Sequence, residues 1–246
     1  MTALAVTDIS RNFEGVQALD NVSFEVASGE RRLIIGPNGA GKTTLFNILS
    51  GSFAASSGWV TLFGRDITRL PAYARARLGL SRTFQITNLF FQLTVLENIL
   101  LALQAGKGTA SPVRRLLRGD RALNARAEAL LEHWGLNELA GHPARDISYG
   151  QQRQLDILLA MAVEPKVLLL DEPTAGLSAA EVPRVMTVLR GLSRDTTVLM
   201  IEHDMDVAFE LADRIAVLHQ GRLLAEGGVE AIRNNPQVAE IYLGSD

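Results

Sequence analysis

Ser148-Tyr149-Gly150-Gln151-Gln152 lies between two other motifs, and the three together decide the fold. Upstream, Gly36-Pro37-Asn38-Gly39-Ala40-Gly41-Lys42-Thr43-Thr44 fits the phosphate-loop pattern G-x-x-x-x-G-K-S/T, which many unrelated nucleotide hydrolases share. Downstream, the aliphatic run Val167-Leu168-Leu169-Leu170 predicts a buried strand that ends at Asp171-Glu172. The loop and the acidic pair predict a nucleotide hydrolase that carries its own base.

Composition limits the fold and the classes of partner. The chain has 246 residues, of which 47% are apolar, enough to bury a core in one compact unit or two closely packed lobes. No apolar run approaches the ~18 residues that span a bilayer, and the N-terminus lacks the pattern of a secretory signal. The chain has no cysteine, which fits a reducing cytosol. A net charge of −3 gives no reason to expect a nucleic-acid partner, so membrane association requires a partner protein.

Hydrophobic periodicity divides the chain into three stretches. Residues 1 to about 85 show short β patterns between glycines, including a strand at Arg31–Ile35 that leads into the glycine loop. Residues from about 86 to 165 are helical in period, with a capping box at Thr94-Val95-Leu96-Glu97. Residues 166 to 246 alternate strands and helices, which predicts a parallel sheet in an α/β core with an inserted helical lobe. The predicted elements are helices over residues 43–49, 94–103, 121–134 and 151–161, and strands over 166–170, 197–201 and 215–219.

The glycine loop predicts phosphate binding. Glycines allow backbone N–H groups to converge on phosphate oxygens, and the helix that follows directs its positive end to the same place. Lys42 is expected to reach the β- and γ-phosphates of ATP, and the Thr43 hydroxyl to coordinate Mg²⁺. A plain turn between strand and helix would need eight positions to match by accident.

The acidic pair predicts metal binding and catalysis. Asp171 follows the aliphatic strand, so it lies at the carboxyl edge of the sheet, where α/β folds collect ligands. We expect Asp171 to hold Mg²⁺, mostly through water, and Glu172 to polarise the attacking water. The alternative is two solvated carboxylates in a turn before Pro173, which this strand context disfavours.

With these motifs in this order, the chain resembles an ATP-binding subunit of the ABC type from about residue 4 to residue 243. The resemblance implies one ABC ATPase domain over residues 1–246. Residues 1–85 and 166–246 would form a parallel-sheet P-loop core plus an antiparallel β subdomain, and 86–165 an inserted α-helical subdomain with the signature motif.

The resemblance also assigns roles to single residues. Ser148, Gly150 and Gln151 match the signature positions that face the γ-phosphate bound by a second ATPase subunit, whereas Ser148 alone would predict only a helix cap. Gln85 matches the glutamine that touches Mg²⁺ or the attacking water. His203, at the end of strand Thr197–Ile201, matches the histidine on the γ-phosphate; a lone histidine is more often a surface or capping residue. The remaining matches are Phe13, expected to stack on adenine although an isolated phenylalanine is by default core, and Val16 beside it.

Three further segments have two interpretations each. Ser178 stands where many cassettes carry an aspartate that links the two sites, and Ser178-Ala179-Ala180-Glu181 is itself a capping box for the next helix. Residues 89–93 are core or line a groove for a helix of a transport subunit. A basic cluster favours a solvated helix face over a contact with lipid or a membrane subunit, and consists of Arg114, Arg115, Arg118, Arg121 and Arg126.

Within the ABC type, four segments are similar to the ATPases of branched-chain amino-acid importers: residues 81–85, 93–98, 148–152 and 241–244. The resemblance implies an ATP hydrolase at the cytoplasmic face of the inner membrane. Its partners would be a second ATPase subunit, identical or not, two membrane permease subunits and, indirectly, a periplasmic solute-binding protein. Alternatives are uptake of urea, amides or aromatic acids, lipopolysaccharide extraction, and a soluble ABC ATPase of translation or repair. The solute cannot be read from this chain, because substrate contacts belong to other subunits.

Overall fold

The structure, a computed structural model, describes residues 1–83, 89–106 and 120–243. The chain divides into two compact units. The first comprises Met1–Arg82, Lys166–Ala175 and Leu192–Asp246, and the second Thr83–Pro165 and Gly176–Gly191. Gly176–Gly191 is a segment that the sequence pattern did not separate from the strands around it. The assignment of the whole chain to one ATPase domain stays a prediction.

The first unit contains two sheets. In chain order the strands of the described residues are β1 (Thr2–Phe13), β2 (Val16–Ala27), β3 (Arg31–Ile35), β4 (Ser57–Leu62), β5 (Arg65–Asp66), β6 (Leu80–Arg82), β7 (Val167–Asp171), β8 (Thr197–Ile201), β9 (Arg214–His219) and β10 (Arg222–Gly228). One sheet has the order β10-β9-β3-β8-β7-β6, with parallel pairing from β9 to β6 and β10 antiparallel at its edge. The other is antiparallel, in the order β2-β1-β4-β5. The prediction of an α/β fold with a parallel core sheet is confirmed.

Burial explains why the central strands are continuously aliphatic. Every residue of β7 and of β8 is buried, as expected for the central strands of a parallel sheet that is packed on both faces. The core of the first unit combines these strands with the inner faces of β1 and β2 and with Leu45, Phe46 and Leu49 of the first helix. Glu172 therefore directly follows one fully buried strand, and His203 comes two residues after another.

The helices of the described residues divide between the units. In chain order they are α1 (Lys42–Ser50), α2 (Ala72–Arg77), α3 (Val95–Gly106), α4 (Arg121–His133), α5 (Tyr149–Ala162), α6 (Val182–Gly191), α7 (Met205–Leu211), α8 (Val229–Arg233) and α9 (Pro236–Leu243). The second unit contains α3 to α6, and the first contains the others.

The second unit is built around α3, α4 and α5. The predicted capping box at the start of α3 is confirmed, since Glu97 N–H donates to Thr94 Oγ1 at 3.1 Å and Thr94 N–H to Glu97 Oε2 at 2.8 Å. Within the described residues the helix extends to Gly106, beyond the predicted end at Leu103, and Leu103 packs in the core of this unit. That core draws on Ile99, Ala127, Leu131, Leu155 and Leu158 from the three helices. None of the described helices is long and apolar enough to cross a membrane.

A buried arginine joins α2 to the end of α1. Arg75 is 1% exposed. Its guanidinium donates to the carbonyls of Ile48 at 2.6 Å, Leu49 at 2.7 Å, Leu70 at 2.8 Å and Thr68 at 2.9 Å. The cation lies at the negative end of α1, where helix carbonyls lack partners within the helix.

We expect Arg75→Met to lower the free energy of unfolding by ~3 kcal/mol or more, because buried carbonyls lose their charged donor. Arg77→Met on the same helix is the matched control, since Arg77 is exposed and should change stability by less than ~0.5 kcal/mol. Urea denaturation measures both variants. Equal midpoints for the two would contradict the structural role of Arg75.

Candidate functional site

The phosphate loop connects β3 to α1 and contains positions that only glycine can occupy. Gly41 is the N-cap of α1 with φ 100°, and Gly36 has φ 151°. A Cβ on Gly36 would stand 2.1 Å from the carbonyl oxygen of Leu218, and one on Gly41 would stand 2.6 Å from that of Ala18. The backbone of neighbouring segments therefore closes on the loop from behind, which fixes its path at the start of α1.

Lys42 lies inside this loop. Its side chain is buried, and Nζ donates to the carbonyl oxygens of Gly36 at 2.6 Å and Pro37 at 3.0 Å. Burial lowers the pKa of Lys42, while the negative charges of Glu172 and Asp171 act in the opposite direction. Thr43, the next residue, is exposed. The loop thus holds a cation within itself and presents a hydroxyl outward.

Asp171 ends β7 and is paired with an arginine that the sequence analysis missed. Arg82 Nη2 lies 2.7 Å from Asp171 Oδ2, and both side chains are buried. The same guanidinium donates to Asn47 Oδ1 at 2.8 Å and Ser50 Oγ at 2.9 Å, both on α1. Arg82 therefore ties the carboxylate of β7 to the helix that follows the phosphate loop.

Glu172 is bonded to His203. Glu172 Oε1 and the His203 ring nitrogen Nε2 form a hydrogen bond, and Glu172 N–H donates to Ile201 O at 3.0 Å, which extends the pairing of β7 with β8 by one residue. Glu172 has φ 47°, a left-handed conformation that costs a non-glycine residue energy and is found most often at functional sites. The carboxylate is thereby turned to the carboxyl edge of the sheet beside the imidazole.

A further acidic residue, Glu202, supports the position of Glu172, and the sequence pattern does not predict it. Glu202 is 2% exposed, and burial raises its pKa. Its Oε1 accepts hydrogen bonds from Thr174 Oγ1 at 2.8 Å and Thr174 N–H at 3.1 Å. Glu202 therefore holds the turn that follows Glu172. The sequence signal is only an acidic residue between a buried strand and His203.

Phe13 and Val16 face each other across the end of the β1–β2 hairpin. The Phe13 ring meets the Phe53 ring edge-on at 6.0 Å between centroids, and the Arg11 guanidinium lies 4.5 Å from the Phe13 centroid. Val16 is 68% exposed. Phe13 therefore belongs to an aromatic and cationic cluster rather than to the core, which is compatible with stacking on a base.

The signature segment starts α5 in the second unit. Ser148 is the N-cap and forms a capping box with Gln151, with Ser148 N–H donating to Gln151 Oε1 at 2.9 Å and Gln151 N–H to Ser148 Oγ at 3.3 Å. Gly150 N–H and the Ser148 hydroxyl also donate to Glu181, a residue that the sequence assigned only to a cap. The structure therefore places Ser148, Gly150 and Gln151 together at one helix N-terminus.

The candidate residues form one set in each unit. Residues 36–44, Asp171, Glu172, His203, Phe13 and Val16 are in the first unit, and Ser148, Gly150 and Gln151 in the second. Gln85 lies outside the described residues, as do Arg114, Arg115 and Arg118 of the basic cluster. Arg126 of that cluster donates to Ala162 O at 3.0 Å and pairs with Glu164 at 2.8 Å, so its charge is partly neutralised by a partner within the same unit.

Two family models match the chain. The ABC transporter model matches residues 19–175, and a model described as branched-chain amino acid ATP-binding cassette transporter matches residues 222–246. The chain is 42% identical to LivG, a high-affinity branched-chain amino acid transport ATP-binding protein of Salmonella typhimurium, over 98% of this chain and 97% of LivG.

Solved structures resemble it over nearly the whole chain. The ADP conformation of MJ1267, an ATP-binding cassette of an ABC transporter, is 32% identical with a TM-score of 0.87 and covers 100% of both chains. The dimeric structure of MJ0796, a bacterial ABC transporter cassette, is 26% identical with a TM-score of 0.78, over 92% of this chain and 98% of that one.

Proposed function

Because this chain belongs to the ABC transporter family, as an ABC-type ATPase, we propose that it powers an importer of branched-chain amino acids. The observation that carries the solute class is the match of residues 222–246 to the branched-chain cassette model, together with the 42% identity to LivG. Uptake of urea, amides or aromatic acids and lipopolysaccharide extraction are the alternatives within the family.

In this proposal the loop binds ATP and Lys42 contacts the β- and γ-phosphates. Lys42 Nζ donates to the carbonyl oxygens of Gly36 and Pro37, which keeps the ammonium within the loop that would receive the phosphates. Phe13, with Val16 beside it, provides the surface on which adenine stacks. The backbone N–H groups of residues 36–44 supply the remaining donors.

The donor set fits Mg²⁺. A hydroxyl from Thr43 and a carboxylate from Asp171 are hard oxygen ligands, which Mg²⁺ prefers. The resemblance adds the amide oxygen of Gln85, which lies outside the described residues. The described residues contain no cluster of three His, Cys, Asp or Glu side chains for a metal, and Mg²⁺ is commonly held by one or two protein oxygens plus phosphates and water. When bound, Mg²⁺ would neutralise charge on the β- and γ-phosphates. Arg82 keeps Asp171 in place for this role.

Hydrolysis adds water to the γ-phosphorus and breaks its bond to the β–γ bridging oxygen. Glu172 polarises that water and accepts its proton, while His203 holds the Glu172 carboxylate and contacts the γ-phosphate. Ser148, Gly150 and Gln151 bind the γ-phosphate of a second ATPase subunit, so that two chains enclose two nucleotides. The dimeric MJ0796 cassette supports this pairing.

We place the subunit at the cytoplasmic face of the inner membrane, bound to two permease subunits that receive solute from a periplasmic binding protein. A surface that suits a permease helix lies at the start of the second unit, where Phe90 is 60% and Phe91 41% exposed, while Leu89 is buried. Exposed aromatic pairs of this kind are typical of protein docking surfaces.

The proposal predicts ATP-dependent uptake of leucine by vesicles that contain this chain with its cognate permease subunits and solute-binding protein. Phe90→Asp should reduce uptake by at least ~10-fold, because an unpaired charge in an apolar interface costs several kcal/mol, while the isolated subunit keeps its basal ATPase rate. Tyr73→Asp is the matched control, because it places the same charge at an exposed aromatic residue of the first unit. Uptake of urea or benzoate instead of leucine would favour the alternatives, and wild-type uptake by Phe90→Asp would place the docking surface elsewhere.

A further inference from the structure

The carboxylate of Glu181 binds two different segments of the second unit. Its Oε2 accepts from the Ser178 hydroxyl at 2.8 Å and Ser178 N–H at 3.1 Å. Its Oε1 accepts from Gly150 N–H at 2.9 Å and the Ser148 hydroxyl at 3.2 Å. These hydrogen bonds lower the pKa of Glu181 to about 2, and the bond from the Ser178 hydroxyl has the largest effect. The group is therefore an anion throughout the physiological range.

Capping of the next helix explains only one of these oxygens. The bond from Ser178 N–H to Oε2 is the half of a capping box that the sequence predicts. The second bond of a capping box, in which the serine hydroxyl accepts from the backbone N–H of Glu181, is absent here. The Ser178 hydroxyl instead donates to the Glu181 carboxylate. Oε1 is not needed for this cap, yet it takes two donors from the start of α5.

The packing around Gly150 shows that the contact is close. A Cβ added to Gly150 would stand 2.7 Å from Glu181 Oε1 and 2.9 Å from its Cγ, so the glutamate side chain lies directly on the glycine. Next to it, a Cβ added to Gly176 would stand 3.3 Å from Cε1 of the Tyr149 ring. Residues 176–181 therefore lie against the start of α5 through two neighbouring contacts.

The donors that Glu181 Oε1 uses are those assigned above to the γ-phosphate of a second chain. A backbone N–H has one proton, so Gly150 cannot donate fully to a carboxylate and to a phosphate together. A carboxylate beside a phosphate also adds like-charge repulsion in a site that must accept an anion. The two anions therefore exclude each other at Ser148 and Gly150.

We propose that Glu181 is an internal competitor for the phosphate site at the start of α5, and that ATP-driven pairing of two chains must displace its Oε1 from Ser148 and Gly150. This inference rests on the proposed role of those residues in binding the partner's nucleotide. Because Oε2 is bonded to Ser178 in the turn before α6, Oε1 can leave Ser148 and Gly150 while those bonds remain. Glu181 thus raises the ATP concentration at which two chains pair.

The test measures ATP-dependent pairing of the full chain by light scattering. Glu172→Gln serves as the parent, because it is expected to retain ATP without hydrolysing it. Glu181→Gln in this parent should lower the ATP concentration for half-maximal dimer by ~3-fold to 10-fold, the effect of a charge-assisted hydrogen bond at an exposed position. The amide is neutral and has one acceptor oxygen, so it cannot accept from both segments. Glu181→Ala, which removes both contacts, should shift the curve in the same direction.

Two controls separate competition from a general loss of charge. Glu164→Gln removes the same charge from an exposed glutamate of the same unit that pairs with Arg126, so its ATP requirement should match that of the parent. ADP affinity of the isolated chain should be the same in all variants, because the phosphate loop is unchanged. An unchanged or higher ATP requirement in both Glu181 variants, with a parent that pairs, would overturn the competition and leave the proposed two-chain site intact. A parent that stays monomeric at saturating ATP would refute the two-chain site itself and the competition with it.

Discussion

Glu172→Gln is expected to lower the rate of ATP hydrolysis by at least ~10²-fold, the usual contribution of a general base, while ATP binding survives. The amide keeps the size of the side chain and its place at the end of β7, and it can still bond to His203. It cannot accept a proton from water. The loss should therefore fall on turnover and leave nucleotide affinity near the wild-type value.

The matched control for this variant is Glu202→Gln. Glu202 is also buried at the carboxyl edge of the sheet, and an amide oxygen can still accept the two bonds from Thr174, while the bond that Oε2 accepts from His203 N–H at 3.2 Å is lost. Its effect on turnover should be less than ~10-fold, since it acts on the position of a turn rather than on the reacting water. Phosphate release measures turnover, and fluorescent-nucleotide binding measures nucleotide affinity. Near-normal hydrolysis by Glu172→Gln, or equal losses in both variants, would refute the assignment of Glu172 as the base.

The elements that carry the site could be predicted because their signals are local. The phosphate loop is a contiguous motif between a strand and a helix. The run before Asp171 is aliphatic because both faces of β7 are buried, and the start of α5 is marked by Ser148 and Gln151 three residues apart. In each case neighbours in the chain carry the information, and family resemblance adds the chemistry.

The contacts that tie these elements together could not be predicted in the same way. Arg82 and Asp171 are 89 positions apart, and Gly150 and Glu181 are 31 apart. An arginine at the end of a short strand has the same sequence signature whether it meets solvent or a buried carboxylate. Arg75 reads as one of several basic residues on a surface helix, yet it is buried against four carbonyls. Such partners are selected by tertiary packing, which periodicity does not encode.

Ser178 illustrates how a four-residue pattern can be predictive only in part. The sequence predicts a capping box with Glu181 for the next helix, and the structure contains one of its two bonds, from Ser178 N–H to Glu181 Oε2, in the turn before α6 begins at Val182. The other carboxylate oxygen extends to Ser148 and Gly150. A pattern of four residues can specify the hydrogen bonds within it. A carboxylate oxygen that takes no part in those bonds can accept from a segment distant in sequence. Here that segment is the proposed phosphate site.

Lys42→Ala is expected to abolish ATP binding and turnover together, with turnover lower by ~10² to 10³-fold, the range seen when a charged or polar donor to the reacting group is lost. In the wild-type chain Nζ lies between the carbonyl oxygens of Gly36 and Pro37. Without the ammonium, the carbonyl oxygens of Gly36 and Pro37 lose their cationic donor, although Pro37 O still accepts from Ala40 N–H at 3.2 Å, and Asp171 and Glu172 lose a nearby positive charge. An incoming triphosphate would then meet acceptors instead of a cation.

The matched control is Lys166→Ala, which removes the same charge from an exposed lysine of the same unit, outside the phosphate loop. It should leave ATP affinity and turnover near wild-type values, because an exposed charge outside the loop is screened by solvent and salt. Nucleotide-binding titrations and phosphate release distinguish the variants. Lys42→Ala should fail in both assays, whereas Glu172→Gln fails only in the second, so the pair separates binding from chemistry. If Lys42→Ala bound ATP as tightly as the Lys166 control, the phosphates would have to lie away from this loop, and the assignments of Thr43 and Asp171 to Mg²⁺ would fail with it.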